Sequence, residues 1–489
     1  MTVWFSALCV CAPLLAAIVL FLRPRWATGI ALLAVSLVLV GALGLASVLH
    51  DTGPRIIAIG GWSAPLGISW RIDGLSVTML LMAGIVAWPI TVYAHGYFTG
   101  ASAAAGRFFW PLWMLLLTAL SALFLSNDLF NWYVTLELLG ISAVALVTLS
   151  GKKAALDAAQ RYLFTGLLGS LLYLMGVAII YNAYGVLDAG LLRSAVQPTL
   201  EVWVALGLMT TGLLMKSAIF PLHFWLPAAH GSAPAPVSAI LSAMVVKGAF
   251  YILVRLWFDL VPVAPPDMVT LLLGGLGAGA IIWGSVQAIK ATRLKMLVAY
   301  STVAQLGYLA LFFPLSQTGR LGDAALPGLV YFMFAHACAK AAMFLAAGNL
   351  QRGAGNDDLA TLAPTAQALP ITMFAFAIAG VSIMGLPPSG GFIAKWTLLN
   401  AAISSGGWIW VAVMLAGGLL SAVYIFRVLG LSFEETRVGV EQDPAPMTNK
   451  VAKSSEWASL LLATIALLLG LNALPMLNLL SIGLPGPDL

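Results

Sequence analysis

The chain has 489 residues, 61% of them apolar and only 8% charged, whereas soluble globular proteins carry about a quarter charged residues. Its formal charge of +5 gives no nucleic-acid footprint, because the basic residues stand singly at the edges of apolar runs rather than in a patch. Cys9, Cys11 and Cys338 lie inside apolar runs without a C-x-x-C pair, which excludes a disulfide framework and reads as small core residues.

Apolar stretches of about 20 residues recur from end to end, the length that crosses a bilayer as a helix. They are continuous rather than alternating, so a transmembrane β-barrel is excluded. The expected fold is an all-α polytopic membrane protein with about 14 spans. In chain order these lie near 3–22, 28–49, 73–93, 109–126, 129–149, 161–183, 201–224, 235–257, 268–288, 296–314, 326–348, 368–402, 407–432 and 457–478. Trp4 to Leu22 carries no charge and is followed by Arg23 and Arg25, the reverse of a cleaved signal, and this places the N-terminus outside. In that orientation the outer loops hold only Arg55, Arg71, Arg193, Arg255 and Arg320. Fourteen lysines and arginines, among them Lys290, Arg293, Lys295 and Arg437, fall on the inner side. The C-terminus is then also outside. The outer segment His50–Arg71 has turns at Gly60-Gly61 and Pro65 and a short strand near Ile56–Ile59; the mixed-charge inner segment Glu434–Glu456 reads as a surface for neighbouring subunits or solvent.

Two spans are interrupted. The seventh breaks at Phe220-Pro221, where proline removes a backbone donor, and the twelfth at Gly385–Gly391, which contains Pro387 and Pro388. Non-helical backbone within a membrane survives only where it is buried in protein or lines a wet cavity. Broken helices at corresponding places in two halves point to an inverted-repeat transporter. The chain thus divides into helices 1–3 with the outer loop (1–108), a first five-helix repeat of spans 4–8 (109–260), a second inverted repeat of spans 9–13 (261–433), and the inner loop with helix 14 (434–489).

Ionisable residues fall inside these spans: Glu137 in span 5, Lys216 before the first break, Lys247 in span 8, His336 and Lys340 in span 11, and Lys395 after the second break. Each costs about 3 kcal/mol at mid-membrane unless paired or wetted. A carboxylate near a buried ammonium holds its proton and releases it on moving away. Glu137 with Lys216 suits that role, and His336 with Lys340, four residues apart on one helix face, suits a relay that passes protons to Lys395. Plainer readings stand beside these. Glu137 and Lys216 could be a static ion pair, Lys247 could snorkel, and His336 could be a satisfied core histidine. His230, in the loop after the first break, reads equally as a helix cap or as a proton-uptake group. Trp132, Tyr133 and Trp225 read as packing or interface anchors and Asp128 as a cap; Arg71, Arg161 and Arg255 read as topological or lipid-facing.

The stretch Lys216–Gly248 (KSAIFPLHFWLPAAHGSAPAPVSAILSAMVVKG) resembles the signature of the antiporter-like subunits shared by Mrp-type multisubunit cation/proton antiporters, respiratory complex I and membrane-bound hydrogenases. Leu294–Tyr308 (LKMLVAYSTVAQLGY), Ala335–Gly348 (AHACAKAAMFLAAG) and Gly385–Trp396 (GLPPSGGFIAKW) are similar to its later motifs. The resemblance covers spans 4 to 13, and within the family it is strongest to the D-type member of the Mrp antiporters. It implies proton transfer along Glu137, Lys216, Lys247, His336, Lys340 and Lys395. It also implies other integral membrane subunits as partners, exchange of protons for Na+ or another monovalent cation, and a plasma-membrane location. Two departures stand out. Ala228-Ala229 and Arg293 occupy places where the family often has an acid, which weakens a local carboxylate at either loop. No flavin, iron–sulfur or nickel ligands are legible, so no cofactor is expected in this chain. The rival readings are a proton-pumping subunit of a complex I-like or hydrogenase-like enzyme, a stand-alone transporter, an inert scaffold, and an energy-coupling subunit for inorganic carbon uptake.

Overall fold

The computed structural model describes residues 1–99, 102–260, 265–316, 322–434 and 449–483. Arg320, Arg437 and most of the segment between Glu434 and Glu456 lie outside the described residues. The N-terminal helices are α1 (Thr2–Leu22), α2 (Ala27–Thr52) and α3 (Gly74–Tyr97). The antiparallel strands β1 (Arg55–Ala58) and β2 (Ser69–Ile72) join α2 to α3, with Arg55 opposite Ile72. The stretch expected to form the first repeat holds α4 (Ala103–Leu125), α5 (Leu129–Thr148), α6 (Lys153–Tyr184), α7 (Ala189–Ala195), α8 (Leu200–Lys216), α9 (Leu226–Ser232), α10 (Ala235–Ile240) and α11 (Val246–Arg255). That expected to form the second holds α12 (Asp267–Lys290), α13 (Leu294–Ala310), α14 (Phe312–Leu315), α15 (Gly322–Ala354), α16 (Ala363–Ala368), α17 (Pro370–Met384), α18 (Gly390–Ser404) and α19 (Trp408–Gly430). Helices α20 (Lys453–Leu468) and α21 (Leu474–Leu480) close the chain.

Among the described residues, eleven helical segments are long and apolar enough to cross a bilayer. The other three expected spans coincide with shorter helices: α8 with 17 residues, the α17–α18 pair with 15 each, and α20 with 16. Two of these are short because they are the interrupted ones. Close helix contacts rest on glycine. A Cβ at Gly212 of α8 would lie 2.2 Å from the Gly169 carbonyl oxygen of α6, and one at Gly307 of α13 would lie 2.4 Å from that of Gly277 in α12. Backbones approach this way because lipid supplies no hydrophobic drive between helices, leaving close packing to do the joining. Large apolar side chains such as Phe164, Leu168 and Met175 of α6 face outward instead; Cys11, expected in the core, is also exposed. The most enclosed spans are Ala235–Leu260 and Ala325–Ala354, whose apolar windows are wholly buried. They carry Lys247, His336 and Lys340.

One end of the bundle is closed by ion pairs. Arg255 donates to Asp73 at 2.6 and 2.7 Å, to Asp259 at 2.8 Å and to the Tyr251 hydroxyl at 3.0 Å. Arg71 reaches Asp73 at 2.8 Å and Asp259 at 3.0 Å. This corrects the expectation for Arg71 and Arg255, which are neither lipid-facing nor merely topological. Their carboxylates neutralise them, and Arg255 is only 3% exposed. Arg161 is exposed. Asp73 also starts α3 through a capping box with Ser76, and Asp128 caps α5 by accepting the Asn131 N–H at 2.8 Å.

Candidate functional site

The first break begins earlier than its proline. Helix α8 ends at Lys216, and Ala218 turns the chain with a left-handed φ of 52°. Trp225 holds the open end: its indole donates to the Met215 carbonyl at 3.0 Å, and its ring stacks on Tyr162 at 4.1 Å. The ammonium of Lys216 therefore sits at a helix C-terminus, where the backbone dipole favours a cation. It donates to Glu137 Oε1 at 2.9 Å and lies 3.4 Å from the Leu136 carbonyl oxygen. Glu137 also accepts from the Ser170 hydroxyl. A cavity of about 30 Å³, lined in part by Glu137, Tyr162, Gly166 and Lys216, adjoins the pair and is large enough for a water molecule.

Lys247 is reached through a change of helix type. The chain from Ala235 to Arg255 is α-helical except at Leu241–Val245, where it widens to a π-helix. Such single-turn π segments occur often at functional sites. The Lys247 ammonium donates back to the Ala243 and Ser242 carbonyls at 2.7 and 3.0 Å. It is wholly buried, so snorkelling is excluded. The Ser242 hydroxyl in turn meets that of Thr302 on α13 at 2.9 Å.

On α15, Lys340 donates to the Val298 carbonyl at 3.2 Å and to the Ser301 hydroxyl. His336 stacks on Phe332 at 5.7 Å, and neither ring nitrogen has a hydrogen-bond partner among the described residues. The pair shares a helix face as expected, but each side chain looks to different neighbours. His230 lies on short helix α9 rather than in a loop. It is 1% exposed and stacked on Phe344 at 4.8 Å, so it caps no helix.

The second break repeats the first with other means. Helix α17 ends at Met384, Gly385 has φ 82°, and the Ser389 hydroxyl caps α18. A Cβ at Gly391 would lie 1.9 Å from the Ser382 carbonyl oxygen, so only glycine fits. Lys395 donates to the Ile383 carbonyl at 2.7 Å, in the last turn of α17, and its ammonium stands 4.4 Å from the centre of the Tyr308 ring. A helix end and an aromatic face thus replace the carboxylate of the first half. Among the described residues no group of His, Cys, Asp and Glu could hold a metal ion.

One buried cation escapes the sequence reading. Lys295, assigned to an inner loop, lies one residue inside α13, is 2% exposed, and donates to the Ala233 carbonyl.

The geometry can be set beside known proteins. The sequence profile described as NADH:quinone oxidoreductase/Mrp antiporter, TM, matches residues 126–421. The chain belongs to this family. A second profile, described as the NADH-ubiquinone oxidoreductase (complex I) chain 5 N-terminus, matches residues 57–109. Among relatives, the N-type subunit of the NADH-quinone oxidoreductase of Desulforudis audaxviator is 35% identical, over 80% of this chain and 77% of that protein. The D-type subunit of the Na(+)/H(+) antiporter of Alkalihalophilus pseudofirmus is 29% identical, over 80% of this chain and 78% of that protein. In fold, a chain of the Mrp complex from Dietzia sp. matches with a TM-score of 0.87 at 23% identity, over 99% of this chain and 98% of that one. A chain of the archaeal membrane-bound sulfane sulfur reductase matches with the same TM-score at 26% identity, over 98% and 96%. The break-and-lysine layout therefore sits in a family of multisubunit membrane complexes.

Proposed function

We propose that this chain is the proton-translocating subunit of a multisubunit Mrp-type monovalent cation/proton antiporter, Na+ being the exchanged cation. The observation that carries this reading is the Glu137–Lys216 ion pair at the open end of a broken helix. Of the four lysines in the row, Lys216 alone has a carboxylate beside it among the described residues, so its charge can be switched by moving one side chain. Protons pass from Glu137 and Lys216 through Lys247, His336 and Lys340 to Lys395, the last three lysines being held by carbonyls, a hydroxyl or a ring that do not compete for the proton. The relatives named as D-type subunits of Na(+)/H(+) antiporters support the cation, and the loop-charge asymmetry supports a plasma-membrane orientation with both termini outside. The test is Na+-dependent proton movement in vesicles containing the whole complex. Lys216→Ala is expected to abolish it while the complex still assembles, and an assembled variant that exchanges normally refutes the axis. The 35% identity to an N-type subunit of an NADH-quinone oxidoreductase favours a second reading, the same relay driven by electron transfer in partner subunits. Flavin or iron–sulfur subunits copurifying with the intact complex would establish that one.

A further inference from the structure

Helix α13 carries more polar atoms than a relay by lysines alone requires, and they form one stripe. Lys295, Ser301 with Thr302, Gln305 and Tyr308 follow one another at helical spacing and are all buried. From its foot upward the stripe meets the lysine row three times. Ser301 and the Val298 carbonyl hold Lys340, Thr302 meets the Ser242 hydroxyl whose own carbonyl holds Lys247, and Tyr308 lies under Lys395. Lys295 itself has no part in that row. It is a cation enclosed near the end of the bundle, bonded to the Ala233 carbonyl and next to Leu294, whose N–H donates to the Asp357 carbonyl at 2.7 Å. Asp357 pairs with Arg293 through Oδ1 at 3.0 Å, and its Oδ2 is buried without a hydrogen-bond partner among the described residues. His230 stands on α9 three residues before Ala233, the acceptor of Lys295, and its ring nitrogens are buried without a hydrogen-bond partner among the described residues. Beside this group a cleft of about 220 Å³ opens at the junction of α12 and α13, lined by Gln287, Lys290, Thr292, Arg293, Met296 and Tyr300. Met296 lines the cleft and touches Gly231, the residue after His230.

From this placement we infer that Lys295 is a proton-loading site, taking protons from the α12–α13 cleft and passing them by His230 and the Ser301 hydroxyl to Lys340. The inference rests on the relay proposed above and adds the branch that feeds it. One proton leaves the Lys295 ammonium and one arrives on the neutral Lys340 amine. His230 and Ser301 each take one and give one, and Lys295 is reloaded from water in the cleft. The plainer alternative is that Lys295 only ties α13 to the Ala233 carbonyl, a task any permanent cation of that length could do.

The experiment uses vesicles containing the whole complex, with the initial rate of proton movement normalised to assembled complex on native gels. Lys295→Met and Lys295→Arg are both expected to slow proton movement by about a hundredfold, the low end of what a positioned proton-transfer group contributes. Arginine keeps the charge and the bond to Ala233 but cannot give up its proton. Ser301→Ala, which alters no charge, is expected to slow it as well. A full rate in Lys295→Arg or Lys295→Met overturns the assignment. If neither Lys295 variant assembles, His230→Phe, which keeps a ring against Phe344, decides: a full rate overturns the route and a slowed rate supports it. Lys216→Ala in the same vesicles separates the two ideas. If Lys216→Ala is inactive while Lys295→Met is normal, only the loading site fails; if Lys216→Ala is active, the relay itself fails.

Discussion

Replacing Arg255 by methionine should be among the most destabilising single changes in the protein. The guanidinium makes four hydrogen bonds, to both oxygens of Asp73, to Asp259 and to Tyr251. Methionine fills similar space and makes none. The two carboxylates, of which Asp73 is 1% exposed, would be left to the single cation Arg71, itself 19% exposed. Breaking a buried pair by removing one partner costs about 3–5 kcal/mol, because a charge remains buried without compensation. The assay is the unfolding free energy from detergent titration in mixed micelles. The double variant Arg255→Met with Asp73→Asn should lose less than the sum of its parts, since asparagine still caps α3 and the surviving Arg71 faces only Asp259. A loss below about 1 kcal/mol in Arg255→Met, the range of a solvent-exposed pair, would refute the claim that this end of the bundle is locked by buried charge.

Three further outcomes are expected from the same packing. Burial pushes the Asp73 carboxyl up, but Arg255 and then Arg71 outweigh it and hold it at about 2, against an ordinary 3.8. A carboxyl depressed in the folded state adds stability above its unfolded value and loses it as pH falls. Wild type should therefore shed about 2 kcal/mol between the two values, and Arg255→Met much less, in acid titrations of unfolding. Gly212→Ala places a carbon 2.2 Å from a backbone oxygen of α6, so α8 must shift; the variant should lose about 1–3 kcal/mol and part Lys216 from Glu137, read as reduced exchange by correctly assembled complex. Trp225→Ala removes the stacked partner of Tyr162 and the donor to the Met215 carbonyl, and thermal denaturation should show a loss of about 3–5 kcal/mol.

Much of this protein is legible in its sequence because the membrane enforces simple rules. Continuous apolar runs announce spans, and a mid-span Pro or Gly cluster announces a break. A lone Glu137 and Lys216 in such runs must find each other or water, and they meet at 2.9 Å. What stays hidden depends on distant partners or on backbone form. Arg255 looks topological because its main partner, Asp73, is 182 residues away in the chain. Lys295 looks topological because Lys290 and Arg293 beside it are; its spacing to Thr302, Gln305 and Tyr308 is the available signal. Pro221 draws attention to the wrong residue, since α8 stops at Lys216 and the turn is made at Ala218, an alanine that does not advertise a positive φ. Pro227 and Pro234 flank His230 and suggest a loop, yet proline at the first turn is compatible with the short helix that carries it.

The π-helical turn at Leu241–Val245 amounts to one residue of surplus chain between two stretches of ordinary helix. Excising a single amino acid there would restore regular pairing, keep the span intact and leave everything beyond it facing as before, because the wide turn has already absorbed the surplus residue. What would be lost is the widened turn itself, whose Ser242 and Ala243 carbonyls accept from Lys247. A deletion in the regular helix from Val246 to Arg255 would instead swing everything beyond it by about 100°, the turn of one α-helical residue, and carry Arg255 away from Asp73. A deletion scan across residues 238–250 should therefore spare the arginine lock when it falls within Leu241–Val245 and break it on either side.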